Sequence, residues 1–119
     1  MTVLDASAVL AFLRGESGAD AVEVRLDGAV IGAANWCEVL ARLGDGIEAR
    51  LADAVLIARG VTVEPVSKQD AELGARLRMA VPALSLGDRL CLALGERLDA
   101  VVLTADRAWG TSDRVSQIR

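Results

Sequence analysis

The stretch Val81-Pro-Ala-Leu-Ser-Leu-Gly-Asp-Arg-Leu-Cys-Leu-Ala-Leu-Gly-Glu-Arg-Leu-Asp-Ala-Val-Val-Leu-Thr-Ala-Asp-Arg-Ala-Trp109 decides the fold. It reads as a Pro-containing break, a helix over Ser85–Leu98, a buried strand over Ala100–Leu103 and a short helix over Asp106–Trp109. A helix running straight into a short, uniformly apolar strand is the repeating half of a parallel α/β sheet covered on both faces. Two carboxylates mark its joints, Asp88 near the helix start and Asp106 just past the strand. Ser85 precedes Asp88 by three residues, which is capping-box spacing. At roughly 100° per residue, Asp88 also falls between Cys91 and Leu92, toward the apolar side. A carboxylate there is costly unless something cationic meets it.

The same alternation recurs outward from this stretch. Upstream, Thr2–Leu4 is a strand ending at Asp5, and Ala6–Leu13 has helical spacing until Gly15 breaks it. A second helix is expected over about Gly18–Leu26, with Ser17 as its N-cap. Ala29–Gly32 reads as a strand, followed by a helix over Asn35–Leu43 that buries Trp36, Val39, Leu40 and Leu43. Ile47–Ala58 is a further helix, Val61–Glu64 a strand, and Ser67 caps a helix running to about Met79. Downstream, Val115–Ile118 forms a last strand. No linker or repeat interrupts the series, so residues 1–119 read as one domain. The expected architecture is α/β, a three-layer sandwich with a short, mainly parallel central sheet flanked by helices. In such doubly wound folds ligands sit beyond the carboxyl ends of the strands, where strand order reverses.

Composition narrows the chemistry. Of 119 residues, 53% are hydrophobic and 3% aromatic, so the core rests on Ala, Val and Leu. The net charge of −4 argues against a generic, charge-driven nucleic-acid binder, although a local arginine patch can sit on an acidic protein. The chain has no histidine and no tyrosine, which excludes Ser-His-Asp and Cys-His catalysis, a histidine base and His-ligated zinc. Cys37 and Cys91 have no CxxC or metal-ligand spacing and are expected to be reduced, packed thiols. With no leader-like opening and no apolar run of membrane-spanning length, a cytoplasmic protein is expected.

Carboxylates remain. Asp5 follows the first strand and opens a helix, where an aspartate N-cap contributes about 1 kcal/mol. Glu38 stands three residues after Asn35, again with capping-box spacing, and could instead pair with Arg42 at i+4. Asp106 could cap the helix carrying Trp109. Each would be unremarkable alone. Together, Asp5, Glu38, Asp88 and Asp106 are expected on one rim of the sheet, where four like charges repel unless a cation lies between them. Hard divalent ions with oxygen ligands meet that need. The pattern therefore points to Mg²⁺- or Mn²⁺-dependent phosphoryl chemistry.

The same residues carry a family resemblance. Asp5-Ala-Ser-Ala, Glu38-Val-Leu, Ser85-Leu-Gly-Asp88-Arg-Leu-Cys-Leu-Ala and Leu103-Thr-Ala-Asp106-Arg-Ala-Trp together resemble PIN-domain ribonucleases of the VapC toxin type, from the first strand to the last. The resemblance implies a metal-dependent endoribonuclease, the toxin of a toxin–antitoxin pair. It implies a homodimer that assembles with a small DNA-binding cognate antitoxin whose tail covers the acidic site. Carried over by position, Asp5, Glu38, Asp88 and Asp106 would bind Mg²⁺ or Mn²⁺, with Ser7 and Thr104 as supporting hydroxyls. Asp113 falls in a loop where some relatives carry a further polar residue.

The expected mechanism is hydrolysis of RNA by metal-activated water, with Asp5 the most central ligand. Arg14, Arg89 and Arg107 are candidates to contact RNA phosphates. Two rivals stand beside this reading. One is a phosphatase or receiver-like domain forming a phospho-aspartate at Asp5, although Asp5-Ala-Ser7 lacks a second aspartate two residues on. The other is a non-catalytic binding module whose acids serve only as caps.

Overall fold

The computed structural model describes residues 1–112 and 114–119; Asp113 lies outside the described residues. Among the described residues, five strands form one fully parallel sheet: β1 (Thr2–Leu4), β2 (Val30–Gly32), β3 (Thr62–Glu64), β4 (Val101–Thr104) and β5 (Val115–Gln117). Their order is β3-β2-β1-β4-β5. The chain thus winds outward from β1 in one direction and then returns to continue from its other side. The crevice between β1 and β4 is the topological switch point where α/β sheets place their ligands.

Among the described residues six helices flank the sheet: α1 (Ala6–Arg14), α2 (Ala19–Glu23), α3 (Ala33–Leu43), α4 (Ile47–Ala58), α5 (Lys68–Ala80) and α6 (Leu86–Arg97). A single 3-10 turn spans Arg107–Trp109. Alternation along each strand explains why the strands are apolar throughout. Leu4, Ile31 and Leu103 pack with Ala8, Val9 and Leu10 of α1 on one face. Their neighbours Val3, Val30 and Val102 pack with Cys91 and Leu94 of α6 on the other. The expected three-layer α/β sandwich is the observed one, and its sheet is parallel throughout.

Three local expectations change. Gly18, in the left-handed region at φ 95°, makes the turn into α2 and leaves Ser17 outside the cap position. Helix α3 starts at Ala33 with Gly32 as N-cap, two residues earlier than Asn35. Glu38 is therefore too deep in the helix to reach back to its start, and no capping box forms there. Cys91 is buried as expected, whereas Cys37 is exposed. It shares a shallow surface groove with Trp36, Leu40 and Gly44.

Candidate active site

Asp5 stands where β1 gives way to α1. Its backbone N–H donates to Leu103 O at 3.1 Å, which carries the β1–β4 ladder one step past Leu4. The side chain caps α1 by accepting from Ala8 N at 2.8 Å. It also accepts from Ser7 Oγ at 2.7 Å on Oδ1 and from Thr104 Oγ1 at 2.7 Å on Oδ2. Backbone amides hold both hydroxyls in turn, Ala105 N donating to Ser7 Oγ at 2.9 Å and Asp106 N to Thr104 Oγ1 at 3.0 Å. Each hydroxyl has one proton and directs it at Asp5, leaving the 3.3 Å contact between the two oxygens secondary.

The Asp5 residue is only 4% exposed. Burial raises its carboxyl pKa above the usual range, and this outweighs the bonds from Ser7, Ala8 and Thr104; the Asp88 charge adds to the rise. The fold therefore confines a carboxylate that three donors do not fully satisfy.

Glu38 arrives from α3. Asn35 Nδ2 donates to its Oε1 at 2.8 Å and to Gly87 O, in the first turn of α6, at 3.2 Å. A Cβ on Gly87 would stand 2.7 Å from Glu38 Oε1, so the carboxylate rests directly on that turn. The i+4 pair of Glu38 with Arg42 does not form among the described residues.

Asp88 sits in the first turn of α6. Its Oδ2 accepts from Ser85 N at 3.0 Å while Ser85 Oγ accepts from Asp88 N at 3.2 Å, so the capping box does form. Asp106 caps the 3-10 turn, accepting from Ala108 N at 2.9 Å. Asp5 and Asp106 thus each act as an N-cap and Asp88 completes the Ser85 capping box, whereas Glu38 caps nothing. All four line one cavity of about 310 Å³ at the carboxyl ends of β1 and β4, together with Ser7, Asn35, Arg42 and Ser85. The Cys91 thiol lies beneath: burial pushes its pKa well up, and the charges of Asp5, Asp88 and Glu38 push it further.

The expected cationic residues are placed differently from one another. Arg107 is exposed beside Asp106. Arg89 directs Nη1 to Gly74 O of α5 at 2.9 Å, across the α5–α6 contact. Arg14 is the last residue of α1 and borders a groove with Leu43 and Leu51, at the opposite end of that helix from Asp5. Sequence reasoning missed Asn35 and Arg42 as members of the pocket. For Arg42 the signal was its i+4 spacing from Glu38, which puts both on one helix face; for Asn35 it was a polar residue on the apolar stripe of α3.

The donor set tests whether a divalent cation fits. Among the described residues, no three Asp, Glu or Cys side chains close on one point tightly enough to hold an ion unaided. A Mg²⁺-like ion does not require that, since it keeps several waters and takes one or two carboxylates directly. The carboxylate and hydroxyl oxygens of Asp5, Ser7, Glu38, Ser85, Asp88 and Asp106 that line the pocket fit such an ion. Asp5, with Asp88 and Glu38 beside it, would hold it.

The profile of the PIN domain family matches residues 2–114. No curated protein matches the chain. Among solved structures, a toxin–antitoxin complex from Klebsiella pneumoniae is similar over 100% of this chain and 98% of its own, with a TM-score of 0.87 and 18% identity. Mycobacterium tuberculosis VapC20, described as a sarcin-ricin loop cleaving toxin, aligns over 95% of this chain and 98% of its own (TM-score 0.73, 16% identity). DNA-bound VapBC from Salmonella typhimurium aligns over 99% and 98% respectively (TM-score 0.73, 14% identity). At these identities the likeness concerns the fold. With a family profile spanning nearly the whole chain and an acidic pocket at the switch point of its sheet, the protein belongs to the PIN domain family.

Proposed function

We propose that this protein is a Mg²⁺- or Mn²⁺-dependent endoribonuclease of the VapC type, the toxin of a toxin–antitoxin pair. The observation that carries the reading is the meeting of Asp5, Glu38, Asp88 and Asp106 around one cavity in a PIN domain. A bound divalent ion would supply an activated water and stabilise the leaving oxygen. The chain's own part is to keep the acids in place: Ser7 and Thr104 orient both oxygens of Asp5, and the Ser85 box orients Asp88. Arg42 lines the cavity and Arg107 is exposed next in sequence to Asp106, and both suit the phosphates of an RNA strand.

The rivals have less support. Both oxygens of Asp5 are engaged by donors. The only lysine, Lys68, pairs with Glu72 at the start of α5, so no lysine lines the pocket to assist a phospho-aspartate. Capping alone leaves Glu38 without a purpose.

The partner reading has its own support. Two of the similar structures are a toxin–antitoxin complex and DNA-bound VapBC. Helix α4 turns Ile47, Leu51 and Val55 outward along one stripe, beside a groove walled by Leu13 and Leu43. An apolar stripe of this kind suits a protein partner such as a cognate antitoxin or a second copy of the chain. The functional reading is tested by mapping RNA ends after expression of wild type beside Asp5→Asn. Metal-activated water leaves 5′-phosphate and 3′-hydroxyl ends that are absent with the variant. Ends bearing 2′,3′-cyclic phosphate overturn it.

A further inference from the structure

We propose that Asn35 is a positioning residue for Glu38, and that together with Gly87 it sets the spacing between the acids of α3 and α6. The proposal rests on reading the pocket as a divalent-metal site.

Asn35 is 2% exposed, in the first turn of α3. Its Nδ2 bridges Glu38 Oε1 and Gly87 O. Both partners can only accept, so the amide has one workable orientation. The consequence is that Oδ1 is buried without any donor. A core built for stability alone would place an apolar residue there and avoid that unpaired oxygen. The arrangement is explained by what the other end of the amide does. One side chain holds the acid of α3 against the backbone immediately before Asp88, the acid of α6.

Gly87 completes the arrangement from the opposite side. With no Cβ, it lets the Glu38 carboxylate seat on α6; a methyl group there would lie 2.7 Å from Oε1 and 3.0 Å from Oε2. Without the Asn35 donor, Glu38 is a flexible side chain at the pocket edge, repelled by Asp5 and Asp88. Groups that orient ligating carboxylates in this way typically alter metal affinity when they are removed.

The test is Mn²⁺ affinity of the full chain by titration calorimetry, with melting curves alongside. Asn35→Ala is expected to weaken binding about 10- to 100-fold, and the shape-matched Asn35→Asp at least as much. In a Glu38→Ala background the same changes should cost nothing more, because Asn35 acts through Glu38. Gly87→Ala guards against loss of folding. The three atoms nearest its new methyl all belong to the movable tip of Glu38, and alanine is the better helix former. It should therefore weaken Mn²⁺ binding while melting no lower than wild type. Unchanged affinity in Asn35→Ala and Gly87→Ala overturns the proposal, as does an equal loss when Glu38 is already gone. If wild type binds no Mn²⁺, the metal reading fails and this role falls with it; if wild type binds and the variants match it, the role falls alone.

Discussion

Thr104 Oγ1 donates to Asp5 Oδ2 at 2.7 Å across 99 residues of sequence, fastening β4 to β1 at the rim of the pocket. Thr104→Val keeps the shape and removes the hydroxyl. A hydrogen bond to a charged group contributes about 1.5–3 kcal/mol, and Asp106 N loses its acceptor at the same time. The variant should melt lower by that amount in chemical denaturation and cut RNA more slowly. Unchanged stability would mean that the bond is not made in solution.

Asp5→Asn separates the two demands on that carboxylate. Burial disfavours its ionised form, and Asp88 disfavours it further. A neutral isostere removes this cost, so the metal-free variant should be no less stable than wild type. Added Mn²⁺ should raise the melting temperature of wild type by linkage and leave the variant unmoved. Equal shifts in both proteins would show that Asp5 does not bind the ion.

The pH dependence of metal-free protein follows from the same shift. Asp5 holds its proton more tightly folded than unfolded, so its contribution is present below the ordinary value of 3.8 and is lost as pH rises through the raised folded value. Relative to Asp5→Asn, wild type should lose stability with rising pH across that window and then level off. A difference that grows in the opposite direction would contradict the shift.

Asp70 offers the contrasting case of an acid used for structure. It is buried at the start of α5, accepting from Arg97 Nε at 2.7 Å and from Ser67 N at 3.1 Å. Burial tends to raise its pKa, but the bonds from Arg97 and Ser67 outweigh this and leave it lowered. Its contribution is present above 3.8 and is lost as pH falls through the lower folded value. Asp70→Asn should cost about 1.5–3 kcal/mol at neutral pH and leave Mn²⁺ affinity unchanged. Calorimetry showing weakened metal binding would tie this acid to the pocket after all.

For RNA contact the arginines are not equivalent. Arg42 lines the cavity, whereas Arg14 closes the far end of α1. In an Asp5→Asn background that binds without cutting, Arg42→Ala should weaken RNA binding and lower the salt slope by about 0.7, the value for one single-strand phosphate contact. Arg14→Ala should change neither. The reverse result would move the RNA path to the other end of the sheet.

Much of this was legible in the chain, because a buried parallel sheet demands continuous apolar runs, and Asp5 and Asp106 follow two of them while Asp88 opens the helix that leads into β4. Thr2–Leu4 and Val101–Thr104 announce themselves as short apolar runs, and the helices between by their period. Glu38 was harder to interpret. Its spacing from Asn35 is that of a capping box, but Gly32 ends β2 in extended backbone and lets α3 begin at Ala33, which no local pattern distinguishes from a start at Asn35. Arg89 likewise looks free in sequence, and only the tertiary approach of α5 gives it Gly74 O as a partner. Capping and site membership also proved compatible: a strand-to-helix junction offers a carboxylate both an amide to accept from and an open rim to face.

The strand order β3-β2-β1-β4-β5 has a consequence during synthesis. Asp5 leaves the ribosome 99 residues before Thr104, and so well before Asp106 and the strand that walls the pocket beside β1. A nascent chain ending before β4 has its first acid but no crevice to put it in. For a protein read as an RNA-cutting toxin, the transcript and ribosome that make it are thus shielded from each growing copy until β4 and Asp106 have emerged. A chain truncated after Leu98 should accordingly bind no Mn²⁺ and cut no RNA.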